Sequence, residues 1–89
     1  MQTFSAKHIL VSHEYEAQDL IKKLNDGVSF EDLAQKFSKC PSSQQGGDLG
    51  SFTQGRMVPE FEQAVLGLEP GEVSEPVRTA FGYHLILRY

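Results

Sequence analysis

Two histidines and one cysteine are the side chains of this sequence that could carry chemistry near neutral pH. His8 and His84 lie near opposite ends of the 89 residues, each among apolar residues in a strand-like pattern, and Cys40 precedes a polar loop. A lone strand histidine is usually a hydrogen-bonded core residue. Two of them can pair if their tautomers match, because one nitrogen must donate and the other accept. The pattern leaves structural imidazoles, a histidine pair and a histidine-activated thiol open.

Two more demanding uses of these residues are disfavoured. A cysteine hydrolase needs a neighbouring histidine to lower the pKa of Cys40 and a third group to orient that histidine, and no Asn or Asp is obviously placed for this. A zinc site needs short paired ligand spacings that the chain lacks. We therefore expect no metal and no cofactor, and we keep a cysteine hydrolase as a distant alternative.

A glycine-rich segment followed by large apolar side chains indicates a surface that holds an apolar ligand. The glycines of residues 46–50 permit φ above zero, and Leu49, Met57 and Phe61 lie within or soon after this segment. The segment lacks both the G-x-G-x-x-G register and the Gly-Lys-Ser/Thr ending of a phosphate-binding loop. Phe81 can join the same pocket if the fold brings it near, although core packing is an ordinary use of Phe61.

The elements that must position these residues alternate between strands and helices. Alternation of period two and strand-forming residues predict four strands, over residues 6–13, 51–53, 73–77 and 83–89. Apolar spacing of three and four residues predicts three helices, with apolar faces over residues 17–24, 30–37 and 61–68. The order β-α-α-loop-β-α-β-β indicates an α+β fold with helices packed on a small sheet. Since both strand faces are largely apolar, we expect helices to cover both sides.

Local signals mark where these elements begin and end. Gly27 is expected to be a left-handed cap after the first helix. Ser29 can cap the second helix, and Pro59 suits the first turn of the third. Pro70 followed by Gly71 predicts a type II turn.

Composition and charge restrict the partners and the compartment. The length suits one domain, residues 1–89, and a net charge of −4 without a basic run argues against nucleic acid or anionic membranes. A single cysteine excludes an internal disulfide and fits a reducing compartment. The apolar run Ile9–Val11 is too short for a signal peptide. We expect a cytoplasmic monomer, or an exported domain if the chain is a piece of a larger protein.

Five motifs occur in an order that resembles a known family. They are Lys7–Val11, Phe30–Ala34, Gly46–Gly50, Gly55–Phe61 and Phe81–His84. Over residues 6–89 the sequence resembles the parvulin-type peptidyl-prolyl isomerases, and the ordered set is far more specific than any one motif. The resemblance implies an α+β, parvulin-like fold of the FKBP-like superfold. It has a four-stranded antiparallel sheet surrounded by about four helices, one of them short and within residues 41–46.

The resemblance also implies a catalytic set. His8 and His84 would be neighbours on the central strands, with Cys40 beside them and Thr79 hydrogen-bonded to the pair. Rotation about an X-Pro bond breaks no covalent bond, so nucleophilic attack by Cys40 is unnecessary. The barrier of about 18–20 kcal/mol comes from amide resonance, and a dry apolar pocket that favours the twisted amide lowers it.

The pocket for the proline ring follows from the same resemblance. It implies that Leu49, Met57 and Phe61 line this pocket and that Phe81 lies at its rim, and we place Leu10 with them as a substrate-binding residue. The expected partners are therefore proline-containing peptides and unfolded or flexible protein segments.

One departure from the family concerns phosphate. Some parvulins carry a long basic loop after the first strand that binds a phosphate preceding the proline, whereas the link here is Ser12–Tyr15, without Lys or Arg. Phosphate capture needs such cations, so we expect no preference for phosphorylated Ser/Thr-Pro. The alternative is a catalytically silent, chaperone-like parvulin domain of a larger foldase. The joint presence of the histidines, the cysteine and the pocket residues favours activity.

Overall fold

A computed structural model describes residues 3–89 as one antiparallel sheet with helices on both sides. The strands are β1 (Thr3–Val11), β2 (Asp48–Thr53), β3 (Val77–Thr79) and β4 (Gly82–Arg88). The helices are α1 (Glu14–Asn25), α2 (Phe30–Phe37) and α3 (Pro59–Leu66), together with a short 3₁₀-helix over Pro41–Gln45. The predicted α+β class and four-stranded antiparallel sheet are confirmed, with four helical segments in the described residues, one of them within the 41–46 loop.

The first and last strands of the chain form the centre of the sheet. The strand order is β2-β1-β4-β3, and β1 pairs with β4 from Ala6 opposite Arg88 to Val11 opposite Tyr83. Residues directly opposite share a face, and diagonal neighbours on that face are within reach of aromatic side chains. The even-numbered residues of both strands therefore share one face, which brings His8 and His84 together.

Alternation along the central strands divides the apolar side chains between the two faces. Ile9 and Leu85 pack with α1 and α2 on one side. Ala6 and Ile86 pack with α3 on the other. The sheet is covered on both sides as expected, and the two clusters share β1 and β4, so neither is an independent core.

The local start and stop signals are found where the sequence placed them. Gly27 has a φ of 98° after α1, and the Ser29 side chain accepts a hydrogen bond from the Asp32 N–H at 3.1 Å. Pro59 begins α3. The turn before the last strands has Gly71 at a φ of 93°, with the Glu72 N–H donating to the Glu69 carbonyl at 3.0 Å.

The strand boundaries differ from the prediction in several places, and β1 begins at Thr3 rather than at residue 6. β1 ends at Val11 because His13 already caps α1 and its N–H donates to the Glu16 side chain at 3.0 Å. β2 begins at Asp48 rather than at residue 51. The predicted strand 73–77 is wrong, since only an isolated bridge forms at Val73 and β3 starts at residue 77. Pro76 lacks the N–H that a continuous ladder needs.

Candidate functional site

Two buried histidines face each other in the middle of the sheet. His8 Nδ1 and His84 Nδ1 are 3.1 Å apart, and the two rings lie within 16° of parallel with their centroids 5.2 Å apart. Each side chain is only 5% exposed. A hydrogen bond between two Nδ1 atoms needs one ring to donate and the other to accept. The structure therefore brings together the two histidines that the sequence suggested could pair.

Thr79 extends this pair into a chain of hydrogen bonds. Thr79 Oγ1 lies 2.8 Å from His84 Nε2 and accepts the Phe81 N–H at 3.2 Å. If the hydroxyl donates to His84 Nε2, His84 carries its proton on Nδ1 and donates to His8, whose own proton is then on Nε2. His8 Nε2 is buried and has no partner within residues 3–89. The reverse direction would leave the Thr79 hydroxyl without an acceptor as well, so the first direction is favoured.

Burial keeps the imidazoles uncharged at neutral pH. Desolvation, with a smaller contribution from the neighbouring His84, lowers the pKa of His8 from 6.5 to about 4. Burial also lowers the pKa of His84. Phe61 contributes to this apolar environment, because its ring meets each imidazole edge-on at a centroid distance of 5.7 Å. The centre of the site is thus neutral, hydrogen-bonded and shielded from water.

A groove of about 440 Å³ opens over the histidine pair, and we call it the histidine groove. It is lined by His8, Leu10, Lys39, Cys40, Pro41, Leu49, Arg56, Met57, Val58, Phe61, Phe81 and His84. All of the residues that the sequence analysis assigned to substrate binding are in this set. Phe81 is 70% exposed, whereas Phe61 is 3% exposed and so serves both the groove and the core. Thr79 lies buried behind His84, outside the groove.

A glycine turn holds one wall of the groove against β1. Gly46 and Gly47 have φ values of 68° and 85°, and the His8 N–H donates to the Gly47 carbonyl at 2.9 Å. A Cβ at Gly47 would lie 2.4 Å from the His8 carbonyl oxygen. Only glycine permits both this φ and this approach. The turn therefore fixes the start of β2, where Leu49 reaches the groove.

Cys40 lies beside the histidines but outside their hydrogen-bond network. Its thiol is half-buried, and its backbone N–H and carbonyl bond to Ser38 and Ser43. No hydrogen bond joins its Sγ to either imidazole in the part of the chain that the structure describes. The network therefore comprises His8, His84 and Thr79. Residues 3–89 also contain no cluster of three His, Cys, Asp or Glu suited to a metal.

Four groove residues were missed from the sequence. Lys39 and Pro41 flank Cys40, and Arg56 and Val58 flank Met57. Their signal was adjacency to predicted residues in segments outside the α-helices and strands, where successive side chains need not alternate between faces.

The chain is similar to known proteins over almost its whole length. Residues 8–88 match the Rotamase family, described as the PPIC-type PPIASE domain. Foldase protein PrsA 1 of Bacillus cereus is 51% identical over 82 residues, which are 91% of this chain and 29% of that protein. Foldase protein PrsA of Caldanaerobacter subterraneus is 45% identical over 86 residues, which are 96% of this chain and 28% of that protein. The chain thus spans less than a third of these curated relatives.

Solved structures agree with the sequence relatives. Peptidylprolyl isomerase PrsA from Bacillus anthracis superposes with a TM-score of 0.95 at 48% identity, covering 97% of this chain and 40% of that one. NmPin, the parvulin of Nitrosopumilus maritimus, superposes with a TM-score of 0.89 at 43% identity, covering 100% of this chain and 97% of that one. The same fold thus occurs both as part of a longer chain and as nearly the whole of one.

The comparisons alter the expectation about the compartment. The cytoplasmic location expected from the sequence finds no support in them, because none of the relatives and structures named above is described as cytoplasmic. A further structural neighbour belongs to a pair of SurA-like chaperones of Campylobacter jejuni, one of them described as periplasmic. The exported-domain alternative is compatible with these relatives. Within residues 3–89, no helix has the length and apolar character needed to cross a membrane.

Proposed function

Because the chain belongs to the parvulin, or PPIC-type, family of peptidyl-prolyl isomerases, we propose that it rotates X-Pro bonds in flexible or unfolded protein segments. The observation that carries this proposal is the histidine groove, an apolar cavity of about 440 Å³ directly over a pair of neutral, buried imidazoles. A proline ring is a compact apolar ligand, and Leu49, Met57 and Phe61 offer apolar surface to receive it.

Rotation requires the groove to favour the twisted amide over the planar one. The planar amide is stabilised by resonance, with a barrier of about 18–20 kcal/mol, and each 1.36 kcal/mol removed from the barrier raises the rate about tenfold. The twisted amide has less charge separation, so exclusion of water by the apolar walls favours it. Holding the proline ring still while the preceding residue turns supplies the geometric part of catalysis.

The neutral histidine network supports this process without transferring a proton. Thr79, His84 and His8 hold one another in a fixed orientation, and their low basicity keeps positive charge away from the centre of the groove. A charged imidazole would draw water into the site and favour the polar, planar amide. We assign these residues to orienting the groove floor and setting its polarity.

Cys40 is assigned to the wall of the groove rather than to covalent chemistry. Rotation forms no acyl intermediate, and the thiol makes no hydrogen bond to a histidine within residues 3–89. A thiolate nucleophile would need such a partner to lower its pKa. The position of Cys40 therefore supports a packing role beside Pro41.

We further propose that the reaction does not require phosphorylation and that the domain acts as a monomer. The β1–α1 link, Ser12–His13, contains neither Lys nor Arg. All groove residues come from a single chain, so a second copy is not needed to complete the site.

Exchange NMR on Ala-Pro, Ser-Pro and phosphoSer-Pro peptides tests the proposal without an auxiliary protease. We expect line broadening or exchange peaks for the unmodified peptides at catalytic amounts of protein. Met57→Ala should lower kcat/KM about tenfold, since truncating a groove side chain loses on the order of 1.4 kcal/mol of apolar contact in the transition state. Leu66→Ala is the matched control, because Leu66 is 44% exposed on α3 and does not line the groove.

The outcomes separate catalysis from binding alone. Chemical-shift changes in the groove without any acceleration of exchange would identify a silent, chaperone-like domain. Equal activity of Met57→Ala and Leu66→Ala would remove the pocket assignment. A strict requirement for phosphoserine would overturn the independence from phosphorylation.

A further inference from the structure

The histidine groove carries positive charge although the chain as a whole is acidic. Lys39 and Arg56 line it, and none of the twelve Asp and Glu residues does, although the net charge of the chain is −4. Both cationic side chains are exposed. Within residues 3–89, the Arg56 guanidinium makes no ion pair or hydrogen bond, and the Lys39 ammonium donates to the uncharged hydroxyl of Ser12. Neither charge is neutralised by the protein.

The backbones that carry these cations are anchored at widely separated points of the sheet, Lys39 on β1 and Arg56 at the end of β2. The Lys39 N–H donates to the Leu10 carbonyl at 2.8 Å, near the end of the strand, and the Arg56 N–H donates to the Thr53 carbonyl at 3.2 Å. Thr53 pairs with Thr3 at the start of the strand. Residues 3 and 10 are seven positions apart, or about 23 Å at a rise of about 3.3 Å per residue. The backbones of the two cationic residues are therefore anchored far apart, although both side chains line the same groove.

The turn that carries Arg56 is held in place by a hydrogen bond to the Glu62 side chain. Glu62 Oε1 accepts the Gly55 N–H at 2.7 Å, which fixes the residue immediately before Arg56. In the described residues Glu62 forms no ion pair with Arg56, so the guanidinium is available to a ligand.

We propose that the histidine groove selects proline segments with acidic residues on both sides of the proline, with Lys39 facing one flank and Arg56 the other. The inference rests on the proposed function and names its substrate class. An extended peptide also advances about 3.3 Å per residue, so the span between the anchoring points covers about seven residues. The acidic positions therefore lie within about three residues of the proline on each side.

Carboxylates suit this arrangement better than one phosphate does. Tight phosphate recognition uses converging or bidentate cations, whereas the backbones of these two cations are anchored far apart. A single phosphoserine therefore meets one cation, as a single glutamate does. The shared chemistry is an anionic side chain, and the peptide panel below distinguishes its two sources.

The test measures kcat/KM by exchange NMR for four peptides that differ only beside the proline. They carry Gln on both flanks, Glu on the N-terminal flank, Glu on the C-terminal flank, or Glu on both. For an exposed cation–carboxylate pair we expect about a threefold gain per flank at low ionic strength. Most of that gain should disappear in about 0.5 M NaCl because of screening. A phosphoserine peptide should gain no more than its glutamate counterpart.

Four charge-neutralising variants locate the effect. Lys39→Gln and Arg56→Gln should each abolish the gain at one flank, and at opposite flanks. Lys36→Gln and Arg78→Gln change the net charge equally but remove exposed cations that do not line the groove, so they should retain both gains. Equal kcat/KM for the Gln and Glu peptides in the wild-type chain, or equal losses in the control variants, would overturn the inference.

Failure of the inference can be told apart from failure of the proposed function. If the Gln-flanked peptide is accelerated but Glu brings no gain, isomerase function stands and the acidic selectivity falls. If no peptide is accelerated, dissociation constants for the same panel, measured by NMR titration, decide the selectivity on their own. A phosphoserine gain far above that of glutamate would replace the carboxylate assignment by a phosphate site.

Discussion

His8 occupies an unusual environment for an ionisable side chain. It is buried between Phe61 and His84, and its Nε2 has no hydrogen-bond partner within residues 3–89. Desolvation, with a smaller contribution from the neighbouring His84, lowers the pKa of His8 to about 4. The neutrality of the site is therefore a property of the folded state that acid should reverse.

Acidification is expected to destabilise the protein through His8. The folded pKa is about 4 and the ordinary value is 6.5, so between these values the unfolded chain binds more protons. The contribution of His8 to the free energy of unfolding is thus fully present above about pH 6.5, and it is lost as the pH falls toward 4. At 1.36 kcal/mol per pKa unit, the loss is on the order of 3 kcal/mol. Denaturant unfolding from about pH 7 to about pH 4 measures it.

A variant isolates this contribution from that of other groups. His8→Gln should reduce the dependence of stability on pH between about 6.5 and 4, because glutamine does not titrate there, and the dependence that remains is that of His84 and the carboxyl groups. NMR titration of the His8 ring should show it neutral at pH values where an exposed histidine is already charged. A ring that titrates near 6.5 in the folded protein would contradict the prediction.

The residue roles were predictable to different degrees from the sequence. The proximity of His8, His84 and Thr79 followed from the resemblance, because the family fixes which strands are neighbours. Arg56 and Lys39 could not be placed, since they lie in segments whose side-chain directions depend on turns rather than on a regular period. The positive charge of Lys39 and Arg56 at the groove is therefore recognised from the structure and was not predicted from the sequence.

At the scale of elements, the glycine turn before β2 is the most constrained junction. Gly47 combines a φ of 85° with a Cβ position 2.4 Å from the His8 carbonyl. Gly27 has a comparable φ of 98° after α1, but nothing lies within 4 Å of its Cβ position. A substitution at Gly27 therefore tests the cost of the positive φ alone, whereas a substitution at Gly47 tests the positive φ together with a steric clash.

Alanine at these two positions should have unequal effects on stability. Gly27→Ala is expected to cost about 1–2 kcal/mol, the typical cost of a left-handed non-glycine residue. Gly47→Ala should cost clearly more, because β1 and the turn must separate, and isomerase activity should fall with it. Denaturant unfolding of both variants gives the comparison. Equal losses would show that the close approach to β1 is not a significant constraint.

Element types were more predictable than element ends. Apolar spacing and the caps Gly27, Ser29 and Pro59 located the helices because these signals are local. The strand prediction for residues 73–77 was wrong. These residues favour an extended chain, but Pro76 has no backbone N–H to donate to a neighbouring strand. Extended backbone and strand are distinguished by a partner's hydrogen bonds, which the local sequence does not contain.

For the whole molecule, the two apolar clusters depend on the same pair of strands. Ile9 belongs to the cluster under α1 and α2, and Ile86 to the cluster under α3. Each lies on a central strand, so loss of the β1–β4 pairing exposes both clusters together. We propose on this ground that residues 1–89 form a single domain that folds as one unit.

Unfolding should therefore be a single cooperative transition. Methyl NMR signals of Ile9 and Ile86 report on opposite faces of the sheet, and their urea midpoints should coincide, as expected for a two-state domain of this size. Midpoints that differ beyond error would show that the faces unfold independently.

The central position of β1 and β4 also has a consequence for biosynthesis. His8 is synthesised 76 residues before its partner His84, and the intervening chain carries most of the remaining elements. Contacts at such separation form slowly, because a long loop must close before they contribute. During translation β1 must therefore wait for its central partner β4, and the histidine pair of the candidate site forms only when the last strand of the domain is released. Until then the apolar side chains that pack across β1 and β4 are incompletely buried, so the domain is itself exposed to misfolding while it is synthesised.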